Sequence, residues 1–322
     1  VLGFEPGGQG EHVLLHIRKR NQNTEWVARQ LARIAQVPAR EVSYSGLKDK
    51  QALTTQWFSV SLPGKAMPDW SALTSADIEI LRAERHQKKL RRGSHHANRF
   101  RLVLRRIIDE PGELEQRLQQ IADQGVPNYF GEQRFGRNGN NLRQAWRLFT
   151  GEFREKDRHK RGLYLSAARA MLFNQVLSRR VVSGTWNKAL AGDLMSLAGS
   201  NSVFAASVIS EEIMQRVAAH DIHPSGPLWG RGELGTRGEV AVLEQQVLER
   251  FAPWCRGLEQ AGLQQERRPL RLQVAELGWQ WLDDTTLALE FQLPRGAYAT
   301  AVVRELMQVG DEGATSHPGS PE

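Results

Sequence analysis

The spacing of apolar residues changes period twice along this 322-residue chain, and that change limits the folds open to it. Near the start, Phe58, Val60 and Leu62 alternate with Trp57, Ser59 and Ser61, and Phe100, Leu102 and Leu104 alternate with Arg101, Val103 and Arg105. Near the end, Leu287, Leu289, Phe291 and Leu293 repeat the pattern after the alternation of Trp279 and Trp281 and the Asp283-Asp284 turn. Period two is the mark of a strand with one face on a core. Between these ends, Leu142, Ala145, Trp146 and Phe149 have helical spacing, as do Leu165, Ala168, Leu172 and Val176, and Val240, Leu243, Val247 and Phe251. Short strands are expected around Met195 to Leu197 and Val203 to Phe204. The Gly, Pro and Ser residues clustered from His223 to Gly238 predict a long loop. A helical middle between strand-rich ends implies an α+β chain: one domain built from both ends, and a second, mostly helical α+β domain inserted through two crossings. No internal repeat is present, and the Gly-, Ser- and Pro-rich stretch 310–322 predicts a disordered tail.

Composition narrows the function classes. No run approaches the roughly 18 consecutive apolar residues that a membrane span needs, and Val1 to Gly10 lacks the apolar core of a signal peptide. A cytoplasmic setting without a membrane partner is expected. Cys255 is the single cysteine, which excludes an intrachain disulfide and a cysteine zinc cluster. His220 and His223 have a spacing seen in metal sites, yet no Cys or third His lies near them and Pro224 breaks any helix, so no metal is expected. Lys and Arg number 43 against 36 Asp and Glu, a formal charge of +7 that favours a polyanionic partner. The excess is local. Arg82, Arg85, Lys88, Lys89, Arg91, Arg92, Arg99, Arg101, Arg105 and Arg106 stand in one segment with Glu84 as its only acid, and the run leads into Asn98 and Phe100. Such a run suits a phosphate-binding surface, with Lys88, Lys89, Arg91 and Arg92 as candidate contacts to an RNA backbone.

Chemistry is most concentrated in Gly46-Leu47-Lys48-Asp49-Lys50-Gln51-Ala52. A helical pattern (Val27, Leu31, Ile34) halted by Pro38 and an extended run from Glu41 to Tyr44 precede it, and the strand from Gln56 to Leu62 follows. Asp49 is therefore placed on a loop between two elements, where catalytic side chains tend to sit. On local pattern alone an Asp between lysines is also what a solvated turn residue looks like.

The stretch from Tyr44 through Gly46-Leu47-Lys48-Asp49-Lys50 to Trp57 resembles the catalytic motif of the tRNA pseudouridine synthase D family. Four further stretches agree, in the same order: His96-Ala97-Asn98-Arg99-Phe100, Pro127 to Gly136 (PNYFGEQRFG), Ser166 to Asn174 (SAARAMLFN), and Leu293 to Leu306 (LPRGAYATAVVREL). The resemblance runs from about Glu11 to Leu306. It implies a discontinuous pseudouridine synthase catalytic domain around an antiparallel sheet, residues 1–123 and 273–309, with the family's own domain inserted at 124–272 and RNA received between the two. In that family a further segment, carrying a basic residue and an aromatic that line the site, comes first, and Val1 is expected to lie downstream of it.

The resemblance also implies an activity: isomerisation of uridine to pseudouridine in tRNA, at position thirteen. A monomer with no cofactor and no protein partner is expected. That reaction breaks the bond from C1′ to N1, turns the uracil and rejoins it through C5. It needs an ionised carboxylate as nucleophile, at C1′ or at C6, and a base held out of its stack. Asp49 fits the nucleophile by residue type and by motif. Lys48 and Lys50 flank it, either of them able to hold its charge or meet a phosphate. By resemblance Phe100 stacks on the base, Asn98 arranges the pocket by hydrogen bonding, and Tyr298 occupies a position where the family has Phe or Tyr. Periodicity alone makes Phe100 a core residue in phase with Leu102 and Leu104. The glycines and aromatics from Asn128 to Gly136 read first as a tight turn at the start of the insert, with Arg134 as its phosphate-binding candidate. Two other readings suit parts of the pattern. A non-catalytic RNA-binding module accounts for the basic run and the aromatics. A carboxylate glycosidase acting on nucleosides accounts for Asp49, although that chemistry usually takes two carboxyl groups and the motif offers one.

Overall fold

A computed structural model describes residues 2–91 and 93–307, so Arg92 and the tail expected at 310–322 lie outside the described residues. The fold is α+β with antiparallel sheets, and the described residues fall in two compact units that divide between Asn98 and Arg99.

In the first unit, β1 (His12–Arg20), β2 (Val42–Tyr44), β3 (Leu53–Ser61) and β4 (Ile78–His86) form one antiparallel sheet in the order β2-β3-β1-β4. Helix α1 (Thr24–Ile34) begins where the Asn23 side chain accepts the Glu25 N–H at 2.8 Å, satisfying one orphan donor of its first turn. Its apolar stripe of Val27, Leu31 and Ile34 packs with Val13, Leu15, Ile17, Phe58 and Val60 into one core. Ser59, on the other face of β3, is also sealed from solvent, because its hydroxyl meets Ser43 Oγ at 2.9 Å and accepts the Leu90 N–H at 3.1 Å.

The second unit opens with the body of β5 (Ala97–Leu104) and holds α2 (Pro111–Gln124), β6 (Val126–Pro127), α3 (Asn140–Phe149), α4 (Arg158–Val182), β7 (Asp193–Leu197), β8 (Val203–Ala206), α5 (Glu211–Ala218), β9 (Ile222–Leu228), α6 (Gly238–Glu249), α7 (Ala252–Gln260), β10 (Glu266–Pro269), β11 (Arg271–Leu272), β12 (Ala275–Asp283), β13 (Thr286–Pro294) and α8 (Ala299–Leu306). One sheet has the order β12-β13-β5 and shares a core with α2 and α8 through Leu114, Leu118, Ile121, Leu289, Phe291, Val302 and Leu306. A second has the order β10-β9-β7-β8. Helix α4 packs on α3, α6 and α7 through Ala145, Leu165, Ala168, Leu172, Val176, Leu248 and Leu258. The short strands β6 and β11 pair antiparallel, Val126 opposite Leu272. Both crossings expected near Gln124 and Leu272 therefore lie side by side inside this unit.

One expectation is corrected. His223 to Leu228 is a buried strand rather than the start of a long loop. Gly226 is there because the chain is crowded: a Cβ would lie 2.8 Å from Leu270 Cδ2 and 3.2 Å from Phe173, which is close approach and not a turn. Pro224 gives up a donor but keeps its carbonyl in use, accepting the Leu270 N–H at 2.8 Å.

Candidate active site

The loop between β2 and β3 is held at its backbone by buried polar groups of the first unit. Lys19, fully buried at the end of β1, donates from Nζ to the main-chain oxygen of Gln22 at 2.7 Å and to that of Asp49 at 3.0 Å. The Thr24 hydroxyl accepts the Lys48 N–H at 3.2 Å and donates to Gln56 Oε1 at 2.9 Å, while Gln56 Nε2 donates to the Gly46 oxygen at 3.0 Å. Gly46, Lys48 and Asp49 are thus each tied at the main chain. Asp49 itself is exposed. A carboxylate that faces solvent on a backbone fixed from beneath is placed to react without having to be ordered first.

The lysines separate. Lys48 is half-buried and its Nζ donates to Asn98 Oδ1, whereas Lys50 is exposed. The structure therefore brings together three expected site residues, Lys48, Asp49 and Asn98, all in the first unit. Burial pushes the Lys48 and Lys19 ammonium groups below the usual lysine range, with the Asp49 charge opposing that shift in both.

The basic run is joined to this loop. Gly93 N–H donates to the Ser45 oxygen at 2.8 Å, and Leu90 is buried on the sheet with its oxygen accepting from Ser43 Oγ at 2.7 Å. Lys88, Lys89 and Arg91 are exposed around this anchor, and Lys89 Nζ reaches the Arg40 oxygen at 3.0 Å. Other members of the run are engaged: Arg82 pairs with Glu84 and Glu5, Arg99 with Glu276, and Arg101 with Glu290. Lys88, Lys89 and Arg91 are exposed and have no carboxylate partner among the described residues.

In the second unit Phe100 is half-buried on β5 and stacks on Phe291, with ring centroids 5.5 Å apart and an interplanar angle of 26°. It belongs to the edge of the sheet core, as periodicity implied. Tyr298 stands just before α8 and is 38% exposed. Asn128 is buried, with Nδ2 donating to the Pro269 oxygen at 2.8 Å, and Phe130 and Asn174 exchange two hydrogen bonds, at 3.0 and 2.9 Å. Arg134 NH1 donates to Ser166 Oγ at 3.2 Å. The stretches 127–136 and 166–174 therefore meet, and what they meet around is Arg268: its NH2 donates to Asn128 Oδ1 at 2.6 Å and its guanidinium carbon lies 4.1 Å from the Phe130 centroid.

Sequence reasoning missed Lys19, Thr24, Gln56 and Arg268. For Lys19 a signal existed, since it falls in phase with Val13, Leu15 and Ile17 on the core face of β1. Gln56 carries a similar one, a polar residue in phase with Phe58 and Val60 and 3% exposed. Arg268 is one of several arginines near the end of the insert and nothing local marks it. His220 and His223 each have a protein partner, as His223 Nδ1 accepts from Arg271 Nε at 2.9 Å and His220 Nε2 meets the Asp123 oxygen at 2.9 Å.

The chain is 52% identical over 307 residues to the tRNA pseudouridine synthase D of Aeromonas salmonicida, covering 95% of this chain and 86% of that protein. It is 50% identical over 313 residues to the tRNA pseudouridine synthase D of Methylococcus capsulatus, covering 97% and 88%. A crystal structure named for tRNA pseudouridine synthase D (TruD) from Methanosarcina mazei superposes with a TM-score of 0.71 over 96% of this chain and 90% of that one, at 22% identity, so the fold is shared far beyond close sequence similarity. The family model for tRNA pseudouridine synthase D (TruD) matches residues 2–156 and 139–306, and the chain belongs to that family.

Proposed function

We propose that this protein converts uridine to pseudouridine in tRNA, at position thirteen, with Asp49 as the nucleophile toward an extruded uridine. The observation that carries the reading is the loop clamp: Lys19, Thr24 and Gln56 fix the backbone of Gly46, Lys48 and Asp49 while the carboxylate stays exposed. A protein that merely binds RNA has no use for a buried ammonium beneath an exposed carboxylate, so the non-catalytic alternative is not favoured. Asp49 forms a covalent bond to the substrate and the bond from C1′ to N1 breaks; C1′ then rejoins at C5, the bond to Asp49 breaks to return the free carboxylate, and the C5 proton leaves to solvent as N1 gains one. No cofactor enters. Lys48 and Asn98, already joined, orient groups at the edge of the site, and Phe100 offers a stacking face to the base. Lys88, Lys89, Arg91 and Arg134 meet phosphates.

The same reading makes residues 1–123 and 273–309 one catalytic domain, of which the sheet β12-β13-β5 joins 97–104 to 275–294, and 124–272 an insert whose ends are paired as β6 and β11. It further takes the enzyme as a cytoplasmic monomer. Among the described residues no helix is long and apolar enough to cross a membrane.

The test is tritium release from tRNA labelled at uracil C5. The protein should release tritium and keep the base attached, whereas a glycosidase liberates free base and a binder does neither. Asp49→Asn should abolish release with tRNA affinity unchanged within a few-fold; turnover by that variant above contamination removes Asp49 from the mechanism.

A further inference from the structure

We propose that Arg134 and Arg268 together hold one phosphate of the RNA, in a subsite built entirely within the second unit. The proposal rests on the tRNA reading above and adds to it a residue that no motif marks. Both guanidinium groups lie over the same ring, Arg268 at 4.1 Å and Arg134 at 5.6 Å from the Phe130 centroid. Neither forms an ion pair with a carboxylate among the described residues, and the Nε of each is shielded from solvent without a hydrogen-bond partner there.

The rest of the unit shows how unusual this is. Arg267, adjacent in β10, is buried in a two-pronged pair with Glu244 at 2.7 and 3.0 Å, and Arg180 is buried against Asp193 at 2.9 Å. Arg271 lacks a carboxylate too, but its donors go to His223 Nδ1, the Val217 oxygen and the Ile222 oxygen. Arg268 has Asn128 Oδ1 and Arg134 has Ser166 Oγ, leaving most of the ten N–H donors on two like charges without a protein partner among the described residues. Placing two cations together without an anion is costly, and the cost is visible: burial first, then Arg134, push the Arg268 guanidinium down to about 10. Such an arrangement is retained where a ligand supplies the anion, and planar forks facing one ring match the oxygens of a phosphate. The groups that set the forks come from three separate stretches: Asn128 and Phe130 from the segment just after β6, Ser166 and Asn174 from α4, and Tyr298, which acts electrostatically on Arg268, from just before α8.

The experiment uses the full chain with Arg134→Gln, Arg268→Gln and Arg268→Lys. Each Gln variant should weaken tRNA binding about tenfold and flatten the slope of log affinity against log salt by up to about one. Arg268→Lys should recover part of the slope but less of the affinity, since it keeps charge and loses the fork. As a probe without RNA, inorganic phosphate replacing chloride at constant ionic strength should raise the Tm of the wild type and not that of Arg268→Gln. Unchanged salt slopes with an unchanged phosphate response overturn the subsite, and a lowered Tm with an unchanged slope makes Arg268 a packing residue only. Pseudouridine formation by the wild type, read in parallel, separates this from the activity: variants that keep the slope beside an active wild type remove the subsite alone. The phosphate response tests it even if tRNA proves not to be the substrate.

Discussion

The ammonium of Lys19 donates to the main-chain oxygen of Asp49 at 3.0 Å across 30 residues of sequence. The same group holds the Gln22 oxygen at 2.7 Å, so one buried cation joins the exit of β1 to the loop that carries the carboxylate.

Lys19→Met should therefore act on turnover. Removing the ammonium orphans two carbonyls, and the loop bearing Asp49 loses its fixed position; a misplacement of about 1 Å at a reacting group costs on the order of a hundredfold in rate. Single-turnover kinetics should show such a loss with tRNA affinity within a few-fold of wild type. Equal losses in both would make Lys19 a general stability residue.

Phe100→Ala separates stacking from packing. Loss of a stacking face costs about 1 to 3 kcal/mol at the base, while truncation of a fully buried Phe costs about 3 to 5 kcal/mol of stability. Because Phe100 is half-buried against Phe291, the expected result is a large fall in turnover with a modest fall in Tm. Activity lost only in proportion to the unfolded fraction would leave Phe100 as core alone.

Charge reversal at Lys88, Lys89 and Arg91 should weaken tRNA binding and flatten its salt dependence, since each phosphate contact contributes a slope of up to about one. Reversal at Arg99 and Arg101, already paired with Glu276 and Glu290, should do less. Affinity titrations at several salt concentrations compare the two sets, and equal effects would undo the distinction.

His223 predicts an acid-sensitive fold. Burial, and next the nearby Arg271 and His220, hold its ring down to about 3, with Asp221 opposing weakly. Between that value and the ordinary 6.5 the unfolded chain binds a proton that the folded chain refuses. Stability is then complete above about 6.5 and falls as pH drops toward about 3, by up to about 1.4 kcal/mol per pH unit. His223→Asn, which can still accept from Arg271, should flatten that part of the profile in chemical denaturation across the acid range.

Where chain and neighbours agree locally, the sequence was a sufficient guide. β3, β5, β13, α3 and α4 appear where alternation and helical spacing put them, because one face of each is buried and the pattern records it. β9 was misread because its Gly and Pro answer to Leu270 and Phe173 packed against it, a tertiary demand that looks like turn chemistry in one dimension. Asp49, Lys48 and Asn98 were legible through their motifs. Arg268 was not, since its isolation from carboxylates is a property of three-dimensional neighbours.

β5 ends at Leu104, and its neighbour in the sheet, β13, begins only at Thr286. During synthesis that strand edge waits on the order of ten seconds or more for its partner. An uncovered edge invites pairing with other chains, and charged side chains along it discourage that. Arg99 and Arg101 on β5, and Arg105 just past its end, are exposed. Part of the basic run is thus also placed where charge disfavours strand pairing with other chains until the terminal hairpin arrives.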